Sequence, residues 1–285
     1  MIAALTPAPV VPLTDEAYHL LSEFLDEELG MHFPEHRRQI LESRLQQRLR
    51  VFQLKSFMHY YVLVRTDAKR ELRELARAIT NNETYLFRET AQFEALFGEG
   101  RDVLRSSLAV PGELRILSAG CSSGEEAFTL NMWATDLMQG PDRPAVRIDA
   151  FDIDPDRVDI ARRGECRRRS LRELTPAQVA RYLIDHGNDT FSVKPAYREG
   201  IAFRIGNIID LPSFRRALPY DVVFCRNVLI YFSSNALRRA INNVVSVLRP
   251  GGLLFLGHSE SIIGMFPQLE TVRLGRCIAY RKVSR

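Results

Sequence analysis

Hydrophobic positions along this chain follow two spacings, and the change from one to the other comes near Thr80. Before that point, apolar residues recur every three or four positions, which is typical of amphipathic helices. We therefore expect a small all-helical domain over residues 14–79. Its predicted helices are a first one ending near Gly30, a second with the apolar stripe Leu41, Leu45, Leu49 and Phe52, and two more over 57–64 and 69–79.

From Thr80 onward, short apolar runs alternate with helical patterns. Runs that are apolar nearly throughout are typical of parallel strands covered on both faces, so they predict an α/β fold with a Rossmann-like sheet. A polar stretch at 185–200 predicts a small antiparallel β excursion, built from 190–194 and its return. The predicted strands are 114–118, 146–151, 201–205, 221–225 and 253–256, with an antiparallel closing pair at 270–274 and 277–281.

The remaining segments complete the expected domain organisation. Residues 1–13 are apolar but contain three prolines and no basic leader, so we expect a flexible arm and not a signal peptide. A linker helix is expected over 80–112, and the sheet domain over 113–285.

Charge and cysteine content exclude several classes of protein. The 285 residues carry a net charge of +4, and 46% are hydrophobic, as in a soluble globular protein. The four cysteines form no Cys-x-x-Cys pair and the six histidines show no ligand spacing, so neither a metal site nor a disulfide framework is indicated. No run approaches the roughly 20 apolar residues that span a bilayer. We expect a cytoplasmic protein without membrane insertion.

Residues 114–126 combine a predicted strand, a turn containing Gly120 and Gly124, and the start of a helix. This arrangement opens nucleotide sites in α/β sheets, because glycine lets the backbone approach the ligand. The turn lacks the Gly-x-Gly-x-x-Gly pattern that binds a pyrophosphate, and Glu125 and Glu126 stand where they would repel one. Two carboxylates suit a ligand that carries an ammonium and a sulfonium. The turn therefore favours S-adenosylmethionine over NAD.

Polar residues follow several predicted strands, at the carboxyl ends where ligands of such sheets bind. Asp152 stands where a carboxylate commonly binds ribose hydroxyls, with a plain turn role as the alternative. Asp154, just before Pro155, is better placed to cap a helix. His258 is expected to be a structural hydrogen-bonding residue. The features at strand ends are the Gly120 turn, Asp152, Asn207, Arg226 with Asn227, and Gly257 with His258.

Arginines of the second predicted helix form a row along the edge of its leucine stripe. Such a row is usually a solvated face whose stems cover apolar surface. The alternative is a docking ridge for an acidic partner, in which case Arg44 and Arg48 could be replaced by Glu with little change in melting temperature. A second basic cluster, within 162–172, is either a solvated helix end or a further partner contact. The candidate docking residues are Arg37, Arg44 and Arg48.

Four blocks of the chain, in order, resemble the signature blocks of the CheR family. They read ITNNETYLFRE at 79–89, SAGCSSGEE at 118–126, FCRNVLIYF at 224–232 and LRPGGLLFLGHSE at 248–260. The members of that family are bacterial chemotaxis receptor methyltransferases, which esterify glutamates on receptor signalling helices. The resemblance covers essentially the whole chain. It implies an N-terminal helical domain joined to a class I methyltransferase sheet.

The resemblance also implies roles for single residues. Tyr231 matches the family tyrosine near the transferring methyl and, with Arg88, is a predicted catalytic residue. Because a glutamate carboxylate, with a pKa near 4.3, is already ionised, no general base is needed. We expect Arg88 to bind the methionine carboxylate of the cofactor, Glu125 its ammonium, and the Tyr231 hydroxyl the substrate. The residues implied to bind S-adenosylmethionine, or its product S-adenosylhomocysteine, are Asn82, Thr84, Arg88, Glu125, Asp152, Asn207, Ile208, Arg226 and Asn227.

The expected partners are the cytoplasmic signalling helices of chemoreceptors. We expect the protein to bind them as a monomer. A tether to the receptor's C-terminal pentapeptide is doubtful, because the loop around Gly187 is shorter than in tail-binding members. Two alternatives stay open. A nucleic-acid methyltransferase would explain the arginine clusters, but residues 225–231 lack the Asn/Asp-Pro-Pro-aromatic motif, so we expect no nucleic-acid partner. The second alternative is a non-catalytic regulator that retains the cofactor-binding fold.

Overall fold

The computed structural model describes residues 10–66, 68–100, 108–138, 140 and 143–284. Their contacts form two units, one comprising the described residues up to Thr80 with Tyr231–Ala236, and the other Asn81–Ile230 with Leu237–Arg285. In the described part of the chain we find no helix with the length and apolar character that a bilayer crossing requires.

The first unit is all-helical, as the sequence predicts. Its first helix is capped by Thr14, whose hydroxyl accepts the N–H of Ala17, and ends at Gly30, which has the left-handed φ of 74°. Leucines of the predicted stripes, such as Leu21 and Leu41, are completely buried. The helices are α1 Asp15–Leu29, α2 Arg38–Val51, α3 Phe57–Thr66 and α4 Ala68–Ile79, with a 3₁₀ turn at Glu35–Arg37.

The expected flexible arm is anchored where it is described. Residues 1–9 lie outside the described part of the chain. Val11 exchanges two hydrogen bonds with the side-chain amide of Gln46, and the Leu13 N–H donates to Glu42 at 3.0 Å. Leu13 itself is buried. The prediction of a loose segment is therefore wrong for 11–13, since the backbone groups of Val11 and Leu13 are hydrogen-bonded to α2 and the Leu13 side chain is buried.

A seven-stranded sheet in the order β6-β2-β1-β7-β8-β10-β9 forms the centre of the second unit. The first five strands of that order pair in parallel, and β10 and β9 add the expected antiparallel edge. The predicted α/β fold class is confirmed. The strands are β1 Glu113–Ala119, β2 Ala145–Asp152, β3 Glu165–Arg167, β4 Leu183–Asp185, β5 Thr190–Val193, β6 Ile201–Ile205, β7 Tyr220–Cys225, β8 Leu248–Leu256, β9 Leu269–Leu274 and β10 Cys277–Lys282.

Among the described residues after Thr80, the structure has six α-helices with full bounds. The core of the sheet contains fully buried residues of neighbouring parallel strands, among them Ile116, Val222 and Phe255. Burial on both faces explains why these strands lack an alternating pattern. The helices are α5 Ala91–Phe97, α6 Glu125–Leu137, α7 Pro155–Arg163, α8 Pro176–Tyr182, α9 Leu211–Phe214 and α10 Ser234–Val247.

The small antiparallel sheet is present but larger than predicted. It has three strands in the order β3-β5-β4, so it draws on residues from Glu165 onward and not only on 185–200. Cys166 of β3 pairs with Phe191 of β5, and both are buried in a second apolar cluster. Five arginines lie within four residues of that single cysteine, so the sequence shows no strand pattern there.

The expected linker helix begins only at Ala91. The preceding segment, which contains the block resembling a cofactor motif, is irregular and turn-like. Two of its backbone N–H groups donate to residues distant in the sequence. The Leu86 N–H donates to the Ser170 carbonyl at 2.9 Å, and the Phe87 N–H donates to the Thr129 hydroxyl at 3.0 Å. These bonds replace the helical ones, so the prediction of a helix from residue 80 is wrong.

Candidate cofactor and active site

The strand order brings the polar residues at strand ends to one edge of the sheet. Because β6, β2, β1, β7 and β8 are parallel and adjacent, their carboxyl ends lie side by side. The features that follow them, in spatial order, are Asn207, Asp152, the Gly120 turn, Arg226 and Gly257. The structure thus assembles one polar edge from segments that are up to about half the chain apart in sequence.

Glycine is required twice in the turn after β1. Gly120 has a φ of 80°, and a Cβ there would overlap the Val228 side chain. Gly124 has a φ of 93°, and a Cβ there would lie 2.8 Å from the Phe128 ring. The turn bends toward β2, since the N–H groups of Gly120 and Cys121 both donate to the Phe151 carbonyl. The backbone therefore lies close against its neighbours at the mouth of the sheet.

Glu125 is the first residue of α6 and lies at the base of this turn. Its side chain is buried, and its carboxylate accepts hydrogen bonds from the hydroxyls of Ser123 at 2.8 Å and Ser170 at 2.9 Å. Burial raises the pKa of this carboxyl. Among the described residues no ion pair of Glu125 is found. A buried carboxylate held only by neutral donors fits a cationic ligand group such as an ammonium.

Glu126 has a different role from the one that the sequence suggests. It accepts the Ser118 hydroxyl at 2.7 Å and Nη1 of Arg226 at 3.2 Å. The buried Arg226 also donates to the carboxylate of Glu89 at 2.9 Å, which in turn contacts His258 Nδ1 at 2.7 Å. Glu126 and Arg226 therefore hold the strand ends together. Of the paired glutamates, Glu126 is engaged by Arg226, whereas Glu125 has no ion pair among the described residues and lines a cavity. The expected hydrogen-bonding role of His258 is confirmed.

Asp152 is held at the end of β2 by its own turn. Its carboxylate accepts the N–H of Ser122 at 2.7 Å and of Asp154 at 2.9 Å. Asp154 caps α7 by accepting the Asp156 N–H at 2.9 Å, which confirms the predicted cap. Asn82 donates to the other oxygen of Asp154 at 2.7 Å. These bonds bring Asn82 and Asp152, two of the predicted cofactor residues, to the same turn.

The remaining predicted cofactor residues follow β6 and β7. Gly206 donates to the Asp152 carbonyl at 2.9 Å, so Asn207 begins beside Asp152, and the Asn207 side chain accepts the Ile209 N–H at 3.1 Å. Ile208 is buried next to it. Asn227 has a left-handed φ of 59° directly after Arg226.

A cavity of about 280 Å³ opens over Glu125. Thr84 and Asn82 line one side of it, so two members of the first sequence block meet the carboxylate at the helix start. Arg88 lies in the same block but does not line this cavity; it donates to the Glu83 carbonyl at 2.9 Å, and its Nε lies 3.9 Å from a carboxylate oxygen of Glu89. The carboxylate of Glu125 and the polar side chains around it suit a charged ligand group. The cavity is lined by Asn81, Asn82, Glu83, Thr84, Ser123, Glu125, Arg157, Arg169, Ser170 and Arg172.

Cofactor affinity should depend on the ionisation of Asp152. Burial raises the pKa of this carboxyl to about 6, so in the free protein its ionised form is disfavoured and its contribution to stability falls as pH rises from about 4 to about 6. Ribose hydroxyls bind the ionised form. We therefore expect affinity for S-adenosylhomocysteine to rise through about pH 6, measured by calorimetry. Asp152→Asn should reduce this dependence, leaving the contribution of Glu125; an unchanged pH profile would remove Asp152 from the site.

Arg48 of the predicted docking row holds the helical unit together. Its Nε and Nη2 donate to the two carboxylate oxygens of Glu71, both at 2.8 Å. Tyr60 donates to the same carboxylate at 2.6 Å, and Glu71 is only 3% exposed. Arg48 is therefore a partner of a buried charge. We therefore expect that reversing its charge lowers the melting temperature, in contrast to the small change that a docking ridge would predict.

Arg44 also makes hydrogen bonds within the helical unit. Its Nη1 donates to the carbonyls of Ile79 and Thr80, at the end of α4, where helix carbonyls lack intrahelical partners. A cation at that position also complements the helix dipole. Of the three predicted docking residues, Arg37 alone has no ion pair or hydrogen bond from its side chain among the described residues. The docking hypothesis consequently depends on Arg37.

Tyr231 groups with the helical unit and not with the sheet. Its carbonyl accepts the His32 N–H at 2.8 Å, and Phe232 forms an antiparallel bridge with Met31. The guanidinium of Arg37 lies 5.8 Å from the centroid of the Tyr231 ring. The predicted substrate-orienting tyrosine is thus held by the same unit that carries the predicted docking residue.

Most arginines of the second basic cluster are paired locally. Arg163 binds Glu165 at 2.7 Å, Arg168 binds Asp189, and Arg172 binds Glu83 at 2.9 Å. All of these side chains are exposed to a large extent, so the pairs add little stability. This supports a solvated helix end over a partner contact.

Two family models match the chain and together cover nearly all of it. The one described as "CheR methyltransferase, SAM binding domain" matches residues 82–276, and "CheR methyltransferase, all-alpha domain" matches 16–80. The chain belongs to the CheR methyltransferase family. It is therefore a methyltransferase that uses S-adenosylmethionine.

Individual CheR relatives match over nearly their full length. "Chemotaxis protein methyltransferase 2" of Vibrio cholerae is 31% identical over 95% of this chain and 94% of its own. "Chemotaxis protein methyltransferase 1" of Pseudomonas aeruginosa is 33% identical over 93% and 97%. The Escherichia coli "Chemotaxis protein methyltransferase" is 32% identical over 87% and 85%.

Some residues of this site escaped the sequence reasoning. Ser170, which donates to Glu125, stands in an arginine-rich segment that gave no signal beyond its charge. Glu89 sits in the first CheR block, but its bonds to Arg226 and His258 join three blocks and are visible only once the strands are ordered. In the last block the sequence drew attention to His258 but gave no signal for Glu260, which stands two residues later.

Proposed function

We propose that this CheR-family enzyme transfers the methyl group of S-adenosylmethionine to glutamate side chains on the cytoplasmic signalling helices of bacterial chemoreceptors. The observation that carries this proposal is the end-to-end similarity to proteins named chemotaxis protein methyltransferases. The products are a glutamyl methyl ester and S-adenosylhomocysteine. A substrate carboxylate oxygen forms the new bond to the methyl carbon as the carbon–sulfur bond breaks, and no proton moves.

The proposed chemistry requires positioning rather than a base. The cofactor supplies an electrophilic methyl on a sulfonium sulfur. Glu125 binds the ammonium, Arg88 the carboxylate and Asp152 the ribose hydroxyls, which fixes the direction from which the nucleophile must come. Tyr231 orients the substrate carboxylate through a neutral hydroxyl. A cation in that place would stabilise the carboxylate more before transfer than during it, because charge is neutralised as the methyl moves.

We propose that the receptor docks on the helical unit at Arg37. Helices rich in methylatable glutamates are acidic, and a basic residue beside the orienting tyrosine would steer them electrostatically. The Arg37 guanidinium over the Tyr231 ring supports this choice, since the contact links docking to the proposed catalytic residue. Arg44 and Arg48 contribute by keeping the helical unit folded.

Arg37→Glu should lower receptor methylation and weaken its dependence on salt, because the attraction that salt screens is removed. The melting temperature and cofactor affinity should stay close to those of the parent enzyme. The matched control is Arg50→Glu, on an exposed position of α2, the helix that follows the turn carrying Arg37. Initial rates at several salt concentrations provide the measurement. Equal effects of the two variants would show that only total charge matters and would reject Arg37 as the docking residue.

The proposal includes further partner assignments. The enzyme acts as a monomer in the cytoplasm, and it uses neither nucleic acid nor a receptor-tail tether. The loop joining β4 to β5 is the four-residue turn 186–189, which supports the absence of a tail-binding insertion. A receptor that lacks its C-terminal tail should therefore be methylated at the same rate as the full-length one.

The experiment that tests this function is methyl transfer from labelled S-adenosylmethionine to a purified receptor signalling fragment. The matched control is the same fragment with its candidate glutamates replaced by glutamine. Label in the first and none in the second is expected. Cofactor binding without transfer to any receptor would favour a non-catalytic regulator, and transfer to nucleic acid instead would favour the other alternative.

A further inference from the structure

Glu260 accepts hydrogen bonds from four backbone amides, three of which lie in the loop after β7. Its Oε2 accepts the N–H of Gly257 at 2.7 Å and of Asn227 at 2.8 Å. Its Oε1 accepts the N–H of Leu229 at 2.8 Å and of Ile230 at 3.3 Å. One carboxylate thus satisfies four donors, three of them in the segment that runs from Asn227 directly into Tyr231.

The backbone of this loop is strained at its start. Asn227 adopts a left-handed φ of 59°, a conformation that costs a non-glycine residue energy and persists only where neighbours enforce it. The side chain of Leu229 is buried, whereas Ile230 is 46% exposed, so apolar packing anchors the middle of the loop but not its end. The hydrogen bonds to the carboxylate fix the backbone N–H groups on both sides of that anchor.

Gly257 provides the space that this arrangement needs. A Cβ at that position would lie 2.8 Å from Glu260 Oε2 and 3.0 Å from the Asn227 nitrogen. The φ of Gly257 is not in the left-handed region, so its backbone would accept alanine without strain. Only the fit of the carboxylate against the loop requires glycine here.

We propose that Glu260 is a positioning residue for methyl transfer, which sets the conformation of the loop that ends at Tyr231. This inference rests on the proposed role of Tyr231 and extends it to a residue whose hydrogen bonds go to the backbone of the preceding loop. Each carboxylate oxygen of Glu260 accepts two backbone N–H groups in this arrangement. A glutamine, which has one oxygen and one NH₂, leaves one pair of N–H groups facing a donor.

Glu260→Gln should lower kcat on the order of 10–100-fold, since a displacement of about 1 Å of an orienting group has effects of that size. Cofactor affinity should fall by a smaller factor, because Glu125 and Asp152 are untouched. Gly257→Ala, which keeps the charge but displaces the carboxylate, should have the same effect on kcat. The control is Glu270→Gln, an equal change on the exposed edge strand β9, with kcat unchanged.

The decisive measurement is the double variant Glu260→Gln/Tyr231→Phe. If Glu260 acts through Tyr231, the double variant is no slower than the slower single one, whereas independent roles would multiply the two losses. Multiplied losses, or a Glu260→Gln enzyme as fast as the parent, would overturn the inference. A parent enzyme that fails to methylate receptors would contradict the proposed function instead. Melting temperatures of each variant show that the enzyme compared is folded.

Discussion

Tyr231→Phe is expected to lower kcat by about 100-fold and leave the affinity for S-adenosylmethionine nearly unchanged. The phenol is proposed to orient the substrate carboxylate and not to bind the cofactor. Its ring is retained in the variant, so the contact with Arg37 and the backbone bond from His32 should persist. Single-turnover rates with saturating receptor, together with calorimetry of cofactor binding, measure the two quantities separately.

Arg88→Ala supplies the contrast for that experiment. Its side chain is assigned to the cofactor carboxylate, so both cofactor affinity and turnover should fall. Loss of affinity in Tyr231→Phe with normal affinity in Arg88→Ala would reverse the assignment of the two residues.

Arg48→Ala is expected to lower the free energy of unfolding of the helical unit by roughly 3–5 kcal/mol, because it leaves the buried carboxylate of Glu71 without its cation. Chemical denaturation followed by circular dichroism gives the value. The matched control Arg50→Ala removes an exposed arginine from the same helix and should cost no more than about 0.5 kcal/mol.

A second variant separates the charge from the packing. Arg48→Met combined with Glu71→Gln removes both charges and keeps an acceptor for the Tyr60 hydroxyl. It should recover most of the stability that Arg48→Ala loses. If Arg48→Ala proved no more destabilising than Arg50→Ala, the arginine would not be paired with a buried charge in solution.

Periodicity predicted those elements whose burial is uniform. The central parallel strands are buried on both faces, so their apolar runs stand out, and β7, which is buried throughout, was predicted to within one residue of its observed bounds. The strand β3 was missed because one buried cysteine between arginines carries no period. The helix expected from residue 80 failed for another reason: its backbone bonds to Ser170 and Thr129, which lie far away in the sequence.

For the candidate site, the sequence indicated which residue types are present but not which side chains pair with one another. Glu125 and Glu126 look equivalent in the sequence, and only the position of Arg226 after β7 shows that Glu126 is engaged in an ion pair while Glu125 is the candidate for binding a ligand. The arginine row on α2 shows the same limit. Its spacing is that of a solvated ridge, yet Arg48 pairs with Glu71 on α4, a contact that helical periodicity cannot reveal.

The central claim is that the product is a glutamyl methyl ester, and its alkaline lability tests this most directly. A receptor fragment methylated with labelled cofactor would be treated with mild base, and the volatile label released as methanol would be counted. The account predicts release of essentially all label from the parent fragment, and no incorporation when its candidate glutamates are glutamine. Label that survives base, as on nitrogen, or that persists in the glutamine fragment, would contradict it.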